Sequence, residues 1–467
     1  MVGKYHAYSE YKDAKSKWLD KIPVHWERTP IKHIVSKRIT DGPHETPEFV
    51  DEGVPFLSAE AVKNNALDFS KKRGYITQSL HEAYSQKCLP KIDDIFMVKS
   101  GNTTGNLAIV ETEDEFNIWS PLALIRANKG KVLPRFVFYS MRADFFRTSV
   151  ELSWSQGTQP NIGMGVIENL HIATAPLEEQ SAVINFLDHE TAKIDTLIEK
   201  QQLLIQLLKE KRQAVISHAV TNGLSSLNGG PSAKMRDSGV EWLGEVPEHW
   251  VVAQLKFNTL EMQTGPFGSQ LHAEDYVDDG IPLVNPAHMT DGKIVPDSKV
   301  SVDQETWARL RRHQLFEGDL IFARRGELGR CAVVTKGEEG WLCGTGSLKA
   351  KLNERLTPDY SYLLITSDGV VSELSLESKG STMDNLNTET LGRVRLPVPP
   401  VGEQREILDY VESISGKYGL LIDKASSAVE LIKERRAALI SAAVTGKIDV
   451  RDWGAPPASP THKEVAA

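Results

Sequence analysis

"KERRAALISAAVTG" occupies residues 433–446, and "KEKRQAVISHAVTN" occupies residues 209–222. Nine of the fourteen positions are identical, 224 residues apart. A chain of 467 residues that writes one helix-like segment twice, nearly half its length apart, reads first as a duplication. The same spacing returns elsewhere. "WLDKIPVHW" (18–26) matches "WLGEVPEHW" (242–250), and "PLEEQ" (176–180) matches "PVGEQ" (400–404). In between, "DDIFMVKSGNTTGNLAIV" (93–110) corresponds to "GDLIFARRGELGRCAVV" (318–334) at a spacing of 224–225. That period is far too long for a solenoid. It describes two domains, each with an attached helix.

No proline or glycine interrupts residues 177–222, and the acids after Pro176 suit the positive end of a helix. With Leu187 as the first seam position, a heptad pattern runs through Thr191, Ile194, Ile198, Gln201, Ile205, Leu208, Arg212, Val215 and Ala219. The second copy places Val411, Ser415, Tyr418, Ile422, Ala425, Val429, Ile432, Arg436, Leu439 and Ala443 on the same seam. Gly416 and Gly419 weaken its early part. A helix of ~40 residues is ~60 Å long and cannot bury its stripe alone. Each copy is the natural partner of the other, as an antiparallel coiled coil with the globular domains expected at opposite ends. Arg212 and Arg436 fall on the seam. They can snorkel at its edge, pair with Glu210 or Glu434, or contact a partner subunit.

The expected architecture is α+β: two tandem globular domains with two long helices forming an intramolecular, pseudo-twofold coiled coil. The boundaries read as a first domain over 1–175, a helix over 176–222 and a Gly/Ser-rich linker over 223–245. A second domain over 246–398, a second helix over 399–446 and a tail over 447–467 follow. Between the landmarks the copies diverge. "TDGPHETPEFVDEGVPFLSAEAV" (40–62) and "QTGPFGSQLHAEDYVDDGIPLVNPAHM" (263–289) share a Gly-Pro and an acidic-Gly-apolar-Pro turn but little else. Like scaffolds with unlike surfaces suggest two sites for different ligands of one kind.

Composition narrows the class. Forty per cent hydrophobic and 25% charged residues describe an ordinary globular protein. No apolar run reaches the ~20 residues of a membrane helix. The polar start carries no signal core, and Cys88, Cys331 and Cys343 form no CxxC pair. A reducing cytoplasm, without disulfides or bound metal, is expected. The net charge of −9 leans against nucleic acid, because phosphates need local Lys and Arg. A local basic surface and partner subunits can supply them.

Each "D(L/I)(I/F)" strand ends in a glycine turn, with Lys99 and Ser100 in one copy and Arg324 and Arg325 in the other. Each domain then closes with a polar turn, "SQGTQPNIG" (155–163) or "SKGSTMDNLN" (378–387). Such side chains suit phosphates and base edges, although Ser, Thr and Asn are also ordinary loop residues. The base-reading candidates are Lys99, Ser100, Asn102 and Thr103 with Gln156, Thr158, Gln159 and Asn161 in the first domain. In the second they are Arg311, Arg312, Arg324 and Arg325 with Ser381, Thr382 and Asn385.

Catalytic signals are weak. Asp359, Glu377 and Lys379 form a loose metal-nuclease pattern with no counterpart 224 residues upstream. "GTGSLK" (344–349) lacks phosphate-loop spacing, "NPAH" (285–288) is no methyltransferase motif, and no GxSxG supports serine chemistry. No catalytic residue is assigned. A protein-only coiled-coil scaffold and, behind it, a Mg²⁺ nuclease remain the alternatives.

The repeated "WL…P.HW", "P(L/V).EQ" and "KE.R.A.IS.AVT" motifs, over residues 11–450, resemble the specificity subunits of type I restriction–modification systems. The resemblance implies two target recognition domains, each reading half of a split duplex DNA sequence, with the coiled coil as a ruler between them. It implies two docked methyltransferase subunits, and motor-nuclease subunits for cleavage. S-adenosylmethionine, ATP and Mg²⁺ would belong to those partners, and this chain would hold no cofactor.

Overall fold

The computed structural model describes residues 5–155, 159–225, 233–326, 329–378 and 386–454, without the side chains of residues 377 and 378. The chain divides into two compact units. One comprises residues 1–202 and 426–467, the other residues 203–425. The long helices run over Leu177–Asn222 and Val401–Val444. Each therefore begins in one unit and ends in the other.

In the first unit the central antiparallel sheet has strand order Leu107–Ile109, Ile95–Val98, Leu122–Ile125, Thr40–Asp41. In the second, the order Cys331–Val333, Leu320–Ala323, Ser347–Leu352, Thr259–Thr264 repeats it. Ile95–Val98 and Leu320–Ala323 are buried throughout, as unbroken apolar strands covered on both faces should be. A second sheet in each unit carries one parallel pair. Val54–Leu57 lies beside Asn117–Ile118, and Ile281–Val284 beside Leu342–Cys343. The shared Gly-Pro turn has a steric reason: a Cβ on Gly42 would meet the Ile118 carbonyl oxygen at 1.7 Å, and one on Gly265 the Gly344 oxygen at 1.9 Å.

The repeated motifs meet in space. Glu179, in the first turn of its helix, accepts hydrogen bonds from Trp26 Nε1 (2.9 Å) and Tyr8 Oη (3.0 Å), with His25 Nε2 at 2.7 Å. Glu403 holds Trp250 Nε1 at 3.0 Å and His249 Nε2 at 2.8 Å. The neighbouring glutamines do a second task. Gln180 accepts from Leu133 N (2.7 Å) and donates to Ala175 O (2.7 Å), while Gln404 accepts from Thr357 N (2.9 Å) and donates to Pro399 O (2.9 Å). "P.HW" and "EQ" are therefore the two halves of one buried polar joint.

The duplicated helix end completes it. In the first unit, Leu439, Ile440, Ala443 and Val444 share a core with Trp26, Phe186, Leu187 and Ile194. In the second, Ala219 and Val220 share one with Trp250, Ile407 and Val411. Each unit thus packs the start of one long helix against the end of the other, which is antiparallel pairing. Gly446 (φ +68°) closes the second helix against Pro23, and Gly223 (φ +76°) closes the first against Pro247 and Trp250. Both adopt the left-handed conformation usual beyond a helix end. The seam residues predicted on both helices are all buried or half-buried.

Arg436 pairs with Asp195 rather than with Glu434. Its Nη2 donates to Asp195 Oδ2 at 2.9 Å, and Nε lies 2.8 Å from Oδ1. At the repeat spacing Gly419 stands where Asp195 does, and Arg212 makes no ion pair among the described residues.

Two boundaries shift from the sequence reading. Within the expected linker over 223–245, Met235–Asp237 pairs with Glu245–Pro247, repeating the Tyr11–Asp13 and Lys21–Pro23 pair. The apolar Val240 and Leu243 bury against Val246 within the hairpin, and Trp242 packs both on this cluster and on the second unit's core. The expected tail over 447–467 starts late, because Ile448 and Val450 are buried in the first unit's core and Asp449 N donates to His6 O at 2.7 Å.

Glu179→Ala leaves a buried indole and a phenol without their charged acceptor. A urea melt should show a loss of about 2–4 kcal/mol, with Glu179→Gln costing less because one acceptor remains. Arg436→Met should cost about 1 kcal/mol in the same assay, and Arg212→Met under about 0.5 kcal/mol.

Candidate nucleic-acid interface

The strand Ile95–Val98 hands over at Lys99 to a loop that rests on the closing polar turn. Ile162 N donates to Lys99 O (2.8 Å), Gly101 N to Pro160 O (3.1 Å) and Ser155 N to Asn161 O (2.8 Å). Thr104 Oγ1 donates to Gly101 O at 2.7 Å, tightening the loop. Gly101 and Gly105 sit at φ +101° and +94°, which glycine tolerates and most residues do not. The result is one ledge carrying Asn102, Thr103, Gln159 and Asn161, all exposed, with Ser100 half-buried.

Lys99 points elsewhere. Its side chain is 14% exposed and its Nζ lies 3.3 Å from Asp41 Oδ2. Lys87 Nζ reaches Asp41 Oδ1 at 2.7 Å, and His44 Nε2 lies 3.1 Å from Oδ2. Burial pushes the Asp41 carboxyl up, but the Lys87 hydrogen bond and the Lys87 and Lys99 charges outweigh it and hold the carboxyl below its ordinary value. Lys99 is thus anchored by a buried carboxylate. Sequence reading missed Asp41, Lys87 and His44; the usable signal was the Gly-Pro turn beside Asp41, shared by both copies.

The second unit makes the same join. Leu386 N donates to Arg324 O at 2.8 Å, the counterpart of Ile162 on Lys99. Arg324 also turns its Nε onto Leu386 O (3.2 Å); burial and the adjacent Arg325 charge lower its pKa. Arg325 is exposed at the turn. Arg311 and Arg312 are exposed too, but are placed apart from this turn: Arg312 Nη2 donates to Gln263 Oε1 (3.0 Å) on Thr259–Thr264, two strands across from Leu320–Ala323. Gln156, Thr158, Ser381, Thr382 and Asn385 lie outside the described residues.

The nuclease pattern gains no geometry. Asp359 sits in the first turn of helix Pro358–Ile365, an ordinary place for an acid, and Lys379 and the Glu377 side chain lie outside the described residues. Among the described residues no helix is long and apolar enough to cross a membrane.

Residues 266–423 match the type I restriction modification DNA specificity domain. Nearly the whole chain aligns with the putative MjaX specificity subunit of Methanocaldococcus jannaschii, at 22% identity over 93% of this chain and 96% of that one. The EcoKI specificity subunit of Escherichia coli K12 aligns at 21% identity, over 93% of this chain and 91% of its own. Along nearly its whole length the chain is similar to the specificity subunits of type I restriction–modification systems. Solved structures share the fold. A chain from a study of type I R-M complex assembly and conformational transition superposes with a TM-score of 0.62 at 17% identity, covering 91% of this chain and 99% of that one. The HsdS subunit from Thermoanaerobacter tengcongensis gives 0.50 at 16% identity, covering 91% and 98%.

The folded-state pKa of Asp41 lies below its unfolded value of ~3.9. Its contribution is therefore present above about pH 4 and lost as pH falls through the folded value. Urea midpoints at pH 6 and pH 3 should differ more for the wild type than for Asp41→Asn.

Proposed function

We propose that this chain is the DNA-reading subunit of a type I restriction–modification complex, in which each unit reads one half of a split duplex target. The observation that supports this most directly is the repeated join of the strand-end turn to the closing polar turn. The backbone bond is the same in both units, Ile162 to Lys99 and Leu386 to Arg324. The side chains presented differ, so the two half-sites need not be related by symmetry. In the first unit Asn102, Thr103, Gln159 and Asn161 are the base-reading candidates, with Ser100 beside them and Lys99 held back on Asp41. In the second, Arg325 ranks first, since arginine pairs guanine in two-point fashion. Arg324 supports the turn, and Arg311 and Arg312 suit phosphates. Gln156, Thr158, Ser381, Thr382 and Asn385 complete the candidate turns.

The paired helices serve as the spacer between half-sites. Two methyltransferase subunits dock along them, with Arg212 free to meet one, and motor-nuclease subunits join for cleavage. Chemistry lies with those partners, which bind S-adenosylmethionine, ATP and Mg²⁺; this chain contributes recognition and no catalytic group.

Modified-base sequencing of the host genome, with the gene intact and deleted, tests this reading. A split motif methylated only when the gene is present is the expected result; co-purification of neither methyltransferase nor DNA, with no motif changed, would favour a protein-only scaffold. Arg325→Ala should relax one half of the motif and leave the other readable. Equal loss of both halves in a folded variant would refute that assignment.

A further inference from the structure

Within the first unit a cavity of about 740 Å³ lies between the sheet-bearing domain and the helix pair. Its size is that of a small-molecule site. Arg142, just beyond helix Pro134–Met141, lines it together with Arg436. The Arg142 guanidinium lies over the rings of Phe138 (5.1 Å) and Tyr139 (5.5 Å). It makes no hydrogen bond or ion pair among the described residues. Burial and the Arg436 charge pull its pKa down to about 10; of the three acids lining the cavity, Glu151 and Glu199 are exposed and Asp195 is already engaged by Arg436. A guanidinium placed so calls for an anion.

The repeat argues that this is no scaffold requirement. Thr366, Val371 and Gly419 stand where Arg142, Arg147 and Asp195 stand in the first unit. Lys433 and Arg147 add positive charge at exposed positions around the cavity, while Glu151 and Glu199 add exposed negative charge. Mixed charge at the mouth opposes an extended polyanion and admits a compact one. Phe146, Trp154 and Ile198 offer apolar wall.

We propose that this cavity binds a compact phosphate-bearing organic anion, its phosphate on Arg142 and its flat body against Trp154. This goes beyond DNA reading and is independent of it, since the test contains no DNA.

The melting temperature of the full chain would be measured with millimolar AMP against sodium chloride at matched ionic strength. Wild type should rise by roughly 2 °C or more. Arg142→Met should lose that response and melt no lower than wild type without AMP, because an unpaired charge has been removed. No AMP response in wild type, or an equal response in Arg142→Met, would overturn the proposal. Should that variant not fold, phenylglyoxal labelling of the wild type, resolved by peptide mass, decides. AMP should slow modification of Arg142 several-fold, and an unchanged rate defeats the site.

Discussion

A buried indole N–H needs an acceptor, and in both units a helix-start glutamate provides it. Trp26 and Trp250 are 0% and 1% exposed, so neither can turn to water. Leaving such a donor unpaired costs about 1–3 kcal/mol, and more where the lost acceptor is charged. Glu179 and Glu403 satisfy these donors from the first turn of a long helix, where the helix dipole also favours a carboxylate. The same bonds set the direction in which each helix leaves its domain. Once that direction is set, the arriving end of the other helix buries its Ala-Val pair in the same core as that tryptophan. In the first unit the sheet residues Ile95 and Ala123 and the helix residues Phe186 and Leu439 share one core with this joint.

This explains why one helix end is written twice. Each unit needs both a departing helix and an arriving one, and the arriving one always belongs to the other copy. A tandem repeat meets the need only if both copies keep the tryptophan, the glutamate-glutamine pair and the Ala-Val end. The positions free of this duty are the turns at Lys99 and Arg324 and their polar partners. The side chains there differ between the copies while the frame stays the same.

Charge is distributed with the same economy. Asp41 collects Lys87, Lys99 and His44, and Asp195 collects Arg436. An overall acidic chain can therefore keep exposed arginines where they face outward, as Arg325 does, without a broad basic surface. The Arg142 cavity departs from this pattern, because its cation has no carboxylate of its own and its counterpart is a threonine.

The sequence alone determined the duplication, the two helices, their seam and the glycine turns that end the buried strands. These are short-range or periodic properties: heptad spacing, glycine turns and repeated motifs survive without knowledge of contacts. It also carried the family resemblance, because several motifs recur at one spacing. Tertiary structure alone decided which motif meets which. That Glu179 serves Trp26, that Lys99 is held by Asp41 rather than offered outward, that Arg436 chooses Asp195 over Glu434, and that residues 235–237 and 448–450 belong to domains rather than to linker and tail all depend on side chains far apart in the chain. Such pairings are set by burial, which makes an unpaired donor or charge expensive, and burial is a property of the folded whole.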